Sequence, residues 1–160
     1  MYKSVGMETE ASDTVDNFAE RFGLIAQAQG LSRIAGRIMG LIIIEGGPIS
    51  FGELSKRLKV SRGSISINTR LLESFGVIER VSRSGERQDY FQIAPTPYKR
   101  LLRVQSEQLA KAQSVIRKTL GELPSNNGES RARLNDLDAF YEALRLSYDN
   151  LIEQFSNPGN

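Results

Sequence analysis

The chain has 160 residues, of which 39% are hydrophobic and 25% charged, as expected for one globular domain with helical extensions. It has no cysteine and no histidine, which excludes disulfides, thiol chemistry and most zinc sites and removes the commonest general base. Residues 51–103 hold 11 Lys and Arg against 5 Asp and Glu, and the rest holds 10 against 14. This segregation indicates either a local polyanion-binding surface or chance clustering on a solvated face.

The polar segment 1–12 is predicted to be a flexible N-terminus, and because no basic segment leads into an apolar stretch there, secretion is not expected. The longest near-continuous apolar run, residues 38–44, is far shorter than the roughly 20 residues that cross a bilayer. We therefore expect a cytoplasmic protein with no membrane partner.

An amphipathic helix is predicted over 13–29, because apolar residues recur there at spacings of three and four. Those residues are Val15, Phe18, Phe22 and Ile25. A second helix is predicted over 31–45, ending at Gly46-Gly47-Pro48. Gly36 and Gly40 remove side-chain bulk from one stripe of this helix, which favours close helix packing over the alternative of a ligand cleft.

Two helix starts then follow in quick succession. Ser50 is placed to cap a helix that begins near Phe51, and Ser61 is placed to cap a second one. A very tight corner therefore joins the two helices. The second helix has Ile65, Leu72 and Phe75 on its inward face, and Gly76 stands where a left-handed residue ends a helix.

A β-hairpin is predicted next, because segments 77–81 and 88–93 are rich in branched and aromatic residues and flank Ser84-Gly85-Glu86. Arginines surround its glycine tip. They could form a basic wing or simply a solvated turn.

From residue 98 a long helix is predicted, followed by a linker over 124–130 and a last helix with a heptad seam. The seam consists of Leu134, Leu137, Tyr141, Leu144, Tyr148, Leu151 and Phe155. It is about 33 Å long at 1.5 Å per residue, and a 3.5-residue period lets such a seam face a partner helix throughout. Use between two copies is favoured over a core face within one chain, because the first helix has a similar seam.

The fold class that follows is mainly α with a small β-hairpin: a winged helix-turn-helix domain over 30–97, flanked by N-terminal (13–29) and C-terminal (98–160) dimerisation helices. A helix pair of this kind places its second helix in the major groove of duplex DNA, and the hairpin reaches the neighbouring backbone or minor groove. The predicted partners are double-stranded DNA with an inverted-repeat operator and a second copy of the chain. The predicted DNA-binding residues are Ser61, Arg62, Gly63, Ser64, Ser66, Thr69, Arg70, Arg80, Arg83, Gly85 and Arg87.

Within the second helix, Arg62, Gly63, Ser66 and Arg70 are predicted to share the outward face, with Ser64, Ile67 and Thr69 at its borders. Asn68 lies on the inward side. For Asn68 a hydrogen bond to the backbone is favoured over a contact with adenine.

The stretch from Val60 to Ser66, continued by Leu71 to Val81, resembles the recognition helix and wing of the MarR superfamily of winged-helix regulators. Segments 30–41 and 85–91 more specifically resemble its GbsR branch, which is associated with the regulation of glycine-betaine synthesis. The resemblance covers about residues 30–121 and implies a dimer joined by terminal helices. Ile67 departs from it, because many such recognition helices have an arginine there.

The resemblance also implies a small-molecule effector, choline in the GbsR case. Four tyrosines could form an aromatic cage for a quaternary ammonium group, although core packing is the favoured role for them. They are Tyr90, Tyr98, Tyr141 and Tyr148. No other cofactor and no metal site are predicted.

Two alternatives to a dimeric repressor or activator stay open. One is a protein-interaction module that uses the winged helix without sequence-specific DNA binding. The other is an enzyme, which is disfavoured: Asp136 and Asp138 are close in sequence on the last helix, but a spacing of two puts them on different faces.

Overall fold

The computed structural model describes the backbone of residues 3–156 and the side chains of residues 13–156. The elements are α1 (Lys3–Ala28), α2 (Arg33–Glu45), β1 (Ile49–Ser50), α3 (Phe51–Leu58), α4 (Arg62–Ser74), β2 (Ile78–Val81), β3 (Tyr90–Ile93), α5 (Pro97–Glu122) and α6 (Gly128–Gln154). The predicted fold class, mainly helical with a small hairpin, is confirmed. None of the described helices is long and apolar enough to span a membrane.

The chain forms two compact units, Met1–Pro97 and Tyr98–Asn160. The first helix starts earlier than its apolar pattern predicts. It begins at Lys3, so most of the segment 1–12 predicted to be flexible is helical, and residues 1 and 2 lie outside the described residues. Helix formation needs no apolar face, and polar residues with adequate helical propensity extend an existing helix at little cost.

Helices α1 and α2 pack very closely in the first unit. A Cβ atom added at Gly36 would lie 2.5 Å from the Ala26 Cβ and 2.8 Å from the Gly23 Cα, and one at Gly40 would lie 3.1 Å from the Ala19 Cα. Small residues on both helices therefore let the two backbones approach, and the close packing predicted from Gly36 and Gly40 is confirmed.

The core of the first unit is made by the inward faces of its helices and by the sheet. Its most deeply buried apolar side chains are Ile38, Leu41, Ile42, Leu54, Ile65, Leu72, Val77, Ile78 and Phe91. Burial of a side chain of this size contributes about 1.5–3 kcal/mol to folding. This core holds α3, α4 and the hairpin in fixed positions relative to one another.

The sheet has the antiparallel strand order β1-β3-β2. Strand β3 pairs Tyr90 with Val81 on one side and with Ser50 on the other. The β2–β3 hairpin matches its prediction to within two residues at each end. The two-residue strand β1 is an addition that ties the start of α3 to the hairpin.

In the second unit, α5 and α6 are antiparallel, and several polar contacts join them. Gln113 is buried, and its amide donates to Glu142 (2.9 Å) and accepts from the Arg145 guanidinium (2.8 Å). Arg117 pairs with Asp138 at 3.0 Å. The hydrogen bond from Gln113 is the main cause of a lowered pKa at Glu142. No residue of α6 is buried, so this unit has little apolar core of its own.

Candidate nucleic-acid interface

Two serine caps define the helix pair α3–α4. Ser50 Oγ accepts a hydrogen bond from the Glu53 amide at 3.1 Å, and Ser61 Oγ accepts one from the Ser64 amide at 3.1 Å. Between the helices, Lys59 has φ of 53° and ends α3 in the left-handed conformation. Both predicted caps are confirmed, and the corner between the helices is only three residues long.

The inward face of α4 is both apolar and polar. Ile65 and Leu72 are buried in the core. Asn68 is buried beside them, and its Nδ2 donates to the Ser64 carbonyl at 2.8 Å, which confirms the predicted backbone role. Thr69 is 1% exposed, and its hydroxyl donates to the Ile65 carbonyl at 2.9 Å.

The outward face of α4 is a stripe of exposed residues spaced four, three and four apart. Its members, here called the α4 stripe, are Gly63, Ile67, Arg70 and Ser74. This spacing follows one side of an α-helix along its length. Ile67 occupies the middle of the stripe and is 68% exposed.

Gly76 ends α4 with φ of 71°, and the Val77 amide donates to the Leu72 carbonyl at 3.2 Å. These features make up the left-handed helix ending that was predicted there. The chain consequently turns directly into β2 and the hairpin.

The hairpin tip is a tight turn. The Glu86 amide donates to the Arg83 carbonyl at 3.1 Å, and Gly85 has φ of 82°. The third position of a type II turn requires this φ, which glycine adopts without strain. The turn exposes the side chains of Arg83 and Arg87.

A small network anchors the tip to β3. The Tyr90 hydroxyl donates to the Glu86 carboxylate, which raises the pKa of Tyr90 and lowers that of Glu86. The guanidinium of Arg83 lies over the Tyr90 ring, 4.2 Å from its centroid. Tyr90 therefore holds both a tip carboxylate and a tip arginine, and its ring face and hydroxyl are already occupied.

Three arginine side chains of α4 and the hairpin remain available to bind an anion. Within residues 13–156, Arg62, Arg70 and Arg87 form no ion pair with a carboxylate. Arg62 instead lies over the Phe51 ring, 4.7 Å from its centroid. Unpaired guanidinium groups on one exposed surface suit phosphate or guanine recognition.

Comparisons with known proteins give a consistent result. The chain is 31% identical over 136 residues to the HTH-type transcriptional regulator MmpR5 of Mycobacterium tuberculosis, covering 82% of each protein. The chain belongs to the HTH-type transcriptional regulators. It is a DNA-binding regulator.

Two further relatives agree with this placement of the regulator. A crystal structure of a transcriptional regulator has a TM-score of 0.79 and 26% identity, covering 89% of this chain and 98% of that one. YvaV of Bacillus subtilis is 26% identical over 99 residues, covering 62% of this chain and 56% of its own. No family model matches the chain.

The fold of the regulator brings most of the predicted DNA-contacting residues onto its exposed surface. Most of these are exposed in α4 or at the hairpin tip, and Ser64 and Ser66 are half-buried. The exposed members are Ser61, Arg62, Gly63, Arg70, Arg80, Arg83, Gly85 and Arg87.

One of these predictions needs correction, and one predicted residue already has partners within the chain. Thr69 is buried with its hydroxyl bonded within its own helix, so its side chain does not face a ligand. Arg80 pairs with Glu73 at 3.2 Å and Asp89 at 3.1 Å. Its pKa is raised, chiefly by the bond to Glu73. Arg80 therefore joins the end of α4 to the hairpin, and its contact with DNA stays a prediction.

Ile67 was predicted at the border of the outward face of α4, but it lies in the middle of that face. The signal was available. At about 100° per residue, the position opposite Ile65 and Leu72 falls on Gly63, Ile67 and Arg70.

Proposed function

We propose that the regulator binds an inverted-repeat operator as a homodimer, with 30–97 as the DNA-binding domain and with 13–29 and 98–160 as dimerisation segments. The observation that carries the proposal is the α4 stripe: an exposed helix face on a doubly capped helix pair, beside an arginine-bearing hairpin. B-DNA's major groove, about 12 Å wide, admits one α-helix.

The residues divide into base-reading and backbone-holding groups. Arg70 lies on the α4 stripe, where a guanidinium can bond both acceptors of a guanine edge. Ser61, Ser64 and the free amides at the start of α4 suit phosphate oxygens, because a helix N-terminus attracts anions. At the hairpin, Arg83 and Arg87 suit the backbone or the minor groove.

The dimer is proposed from apolar side chains that their own unit leaves uncovered. On α6 the seam residues Leu137, Leu151 and Phe155 are 39%, 37% and 52% exposed. On α1, Phe18 and Phe22 stack at 5.6 Å between ring centroids and are half-buried, as is Val15. Ile25 is 53% exposed. Apolar faces of this extent in a regulator of duplex DNA suit a two-fold pair.

The four other seam residues of α6 are half-buried and are proposed to belong to the same interface. They are Leu134, Tyr141, Leu144 and Tyr148. A second copy that packed on the whole seam would cover their remaining exposed area.

A GbsR-like specialisation and an effector are proposed from the motifs at 30–41 and 85–91. A cavity of about 250 Å³ among α1, α2 and α3 is lined chiefly by Asp16, Glu20, Arg37, Arg57 and Lys59. It lies below the roughly 300 Å³ at which ligand pockets usually begin, and its charged lining suits a small polar effector. Choline is the probe. Release of DNA by choline, with the double variant Asp16→Asn and Glu20→Gln insensitive to it, would support this proposal.

Selection of bound duplexes from a random pool tests the main proposal. The expected product is an inverted repeat with half-sites about one helical turn, roughly 10 base pairs, apart. Arg70→Ala should change the preferred sequence. Arg83→Ala should weaken binding to all sequences alike and reduce the salt slope by about one.

Equal affinity for the enriched and for random duplexes at about 150 mM salt would contradict the proposal. A monomer in sedimentation that shifts no duplex even at low salt would instead favour the protein-interaction module.

A further inference from the structure

We propose that Ile67 reads the 5-methyl group of a thymine in each half-site. This inference rests on the proposed function and adds to it a base and a residue. Thymine presents the only apolar group that any base exposes in the major groove.

Exposure is the first observation behind this role. At 68%, Ile67 is the most exposed of the large hydrophobic side chains among residues 13–156. The core side of α4 is already filled by Ile65 and Leu72. A branched side chain on a solvated helix surface also lowers helical propensity slightly. Neither packing within the unit nor helix formation therefore accounts for this residue.

The neighbours of Ile67 on the α4 stripe point in the same direction. Gly63 has no side chain, and a Cβ added there would meet nothing closer than the Ser61 Oγ at 3.8 Å, so the helix can approach a ligand closely at this end. Asn68 and Thr69 are turned inward, with their polar atoms bonded to the backbone of α4. Ile67 and Arg70 are thus the two long side chains of the stripe.

Chemistry then selects the base. All four bases present hydrogen-bonding groups in the major groove, but guanine, adenine and cytosine present no methyl group there, so an apolar side chain over them would only leave donors or acceptors desolvated and unbonded. A thymine methyl instead gains from contact with the isoleucine. Arg70 lies three residues away on the same side of the helix, so the thymine should stand within one or two base pairs of the guanine that Arg70 reads.

Replacement of thymine by uracil tests this role, because it removes the methyl group and leaves every hydrogen-bonding group in place. Each thymine of the enriched half-site is replaced in turn, in both half-sites together. Wild-type protein should lose about fourfold per half-site at one position, the equivalent of ~0.8 kcal/mol for one buried methyl-sized group. The combined loss should be about 16-fold.

The Ile67→Ala variant should bind the thymine and uracil duplexes equally. The control Val115→Ala truncates a side chain of α5 that is 66% exposed, and it should keep the full discrimination. Measurement at low salt, where phosphate contacts dominate, keeps the ratio accessible for a weakened variant.

Two results would overturn the role of Ile67 alone. One is strong enrichment of a duplex in which no replacement of thymine by uracil weakens binding. The other is a loss on uracil replacement that persists in the Ile67→Ala variant. Failure to enrich any duplex would overturn the proposed function, and this inference with it.

Discussion

Helices α4 and α6 both have apolar residues on one side, but the chain covers only one of them. On α4, Ile65 and Leu72 are 0% and 2% exposed and the exposed side is a narrow stripe. On α6 no residue is buried, and Phe155 is 52% exposed. The first unit thus buries the apolar face of the helix proposed to read DNA. The last helix instead leaves an apolar surface exposed, which we assign to contact with a second copy.

The largest expected effect comes from a substitution in the proposed dimer seam of α6. Leu137→Asp would place an unpaired carboxylate in the proposed dimer seam, where burial of a charge costs several kcal/mol. We expect the dimer dissociation constant to rise at least about 100-fold, with loss of binding to the full inverted repeat. Sedimentation at several protein concentrations measures it.

Leu146→Asp is the matched control. Leu146 is on the same helix and is 58% exposed, but it lies outside the seam. It should leave the dimer intact. Equal behaviour of the two variants would show that the seam is not the interface.

A second prediction concerns the close packing of α1 against α2 in the first unit. Gly36→Ala would bring a methyl group against the Ala26 Cβ and the Gly23 backbone. Although alanine favours helix by about 1 kcal/mol, overpacking against backbone costs more, and we expect a net loss near 2 kcal/mol in the free energy of unfolding. Denaturant titration measures this loss.

Gly52→Ala provides the comparison, because its nearest contact would be the Gln88 Oε1 at 3.6 Å. This variant should be stabilised by up to about 1 kcal/mol. A stabilised Gly36→Ala protein would mean that α1 and α2 do not approach as closely as described.

Thr69→Val sharpens the distinction between the inward and outward sides of α4. It removes the hydroxyl that bonds the Ile65 carbonyl, and we expect about 1 kcal/mol lower stability with an unchanged preferred sequence. Unfolding and duplex selection measure the two quantities. A changed base preference would restore Thr69 as a DNA contact.

The smallest expected effect is at the hairpin tip. Tyr90→Phe removes the bond to Glu86 and loosens the tip, and we expect about twofold weaker binding to all sequences through lost preorganisation. Titration of enriched and random duplexes measures the loss, with Tyr98→Phe as the control. Selective loss for the enriched duplex alone would contradict a backbone role for the tip.

The same bond predicts a pH dependence. The pKa of Glu86 is lowered and that of Tyr90 raised. The stabilisation is therefore complete between the ordinary values of about 4.3 and 10, and it is lost as pH falls through the lowered pKa of Glu86 or rises through the raised pKa of Tyr90. The amide resonance of Gly85 should stay constant from about pH 5 to 9.

Local features of the fold could be predicted from the sequence, and pairings between distant residues could not. The caps at Ser50 and Ser61 and the helix ending at Gly76 depend on neighbours in sequence, and all three are confirmed. Strand β1 exists only because residues 49–50 meet β3 some forty residues later. A strand of only two residues is too short to show an alternating pattern in the sequence.

The same limit explains the errors at the candidate site. Threonine is amphipathic, and only the tertiary packing of α4 shows that the Thr69 side chain is buried. The ion pairs of Arg80 could not be predicted either, because its partners, Glu73 and Asp89, lie in α4 and just before β3, seven residues before it and nine after it.

The most direct test is an NMR titration of the labelled regulator with the enriched duplex. The largest amide shifts should fall on the α4 stripe, at Gly63, Ile67 and Arg70, and at the tip residues 83–87. Shifts confined to α5 and α6, with the α4 stripe unchanged, would contradict the assignment of α4 as the element that reads DNA.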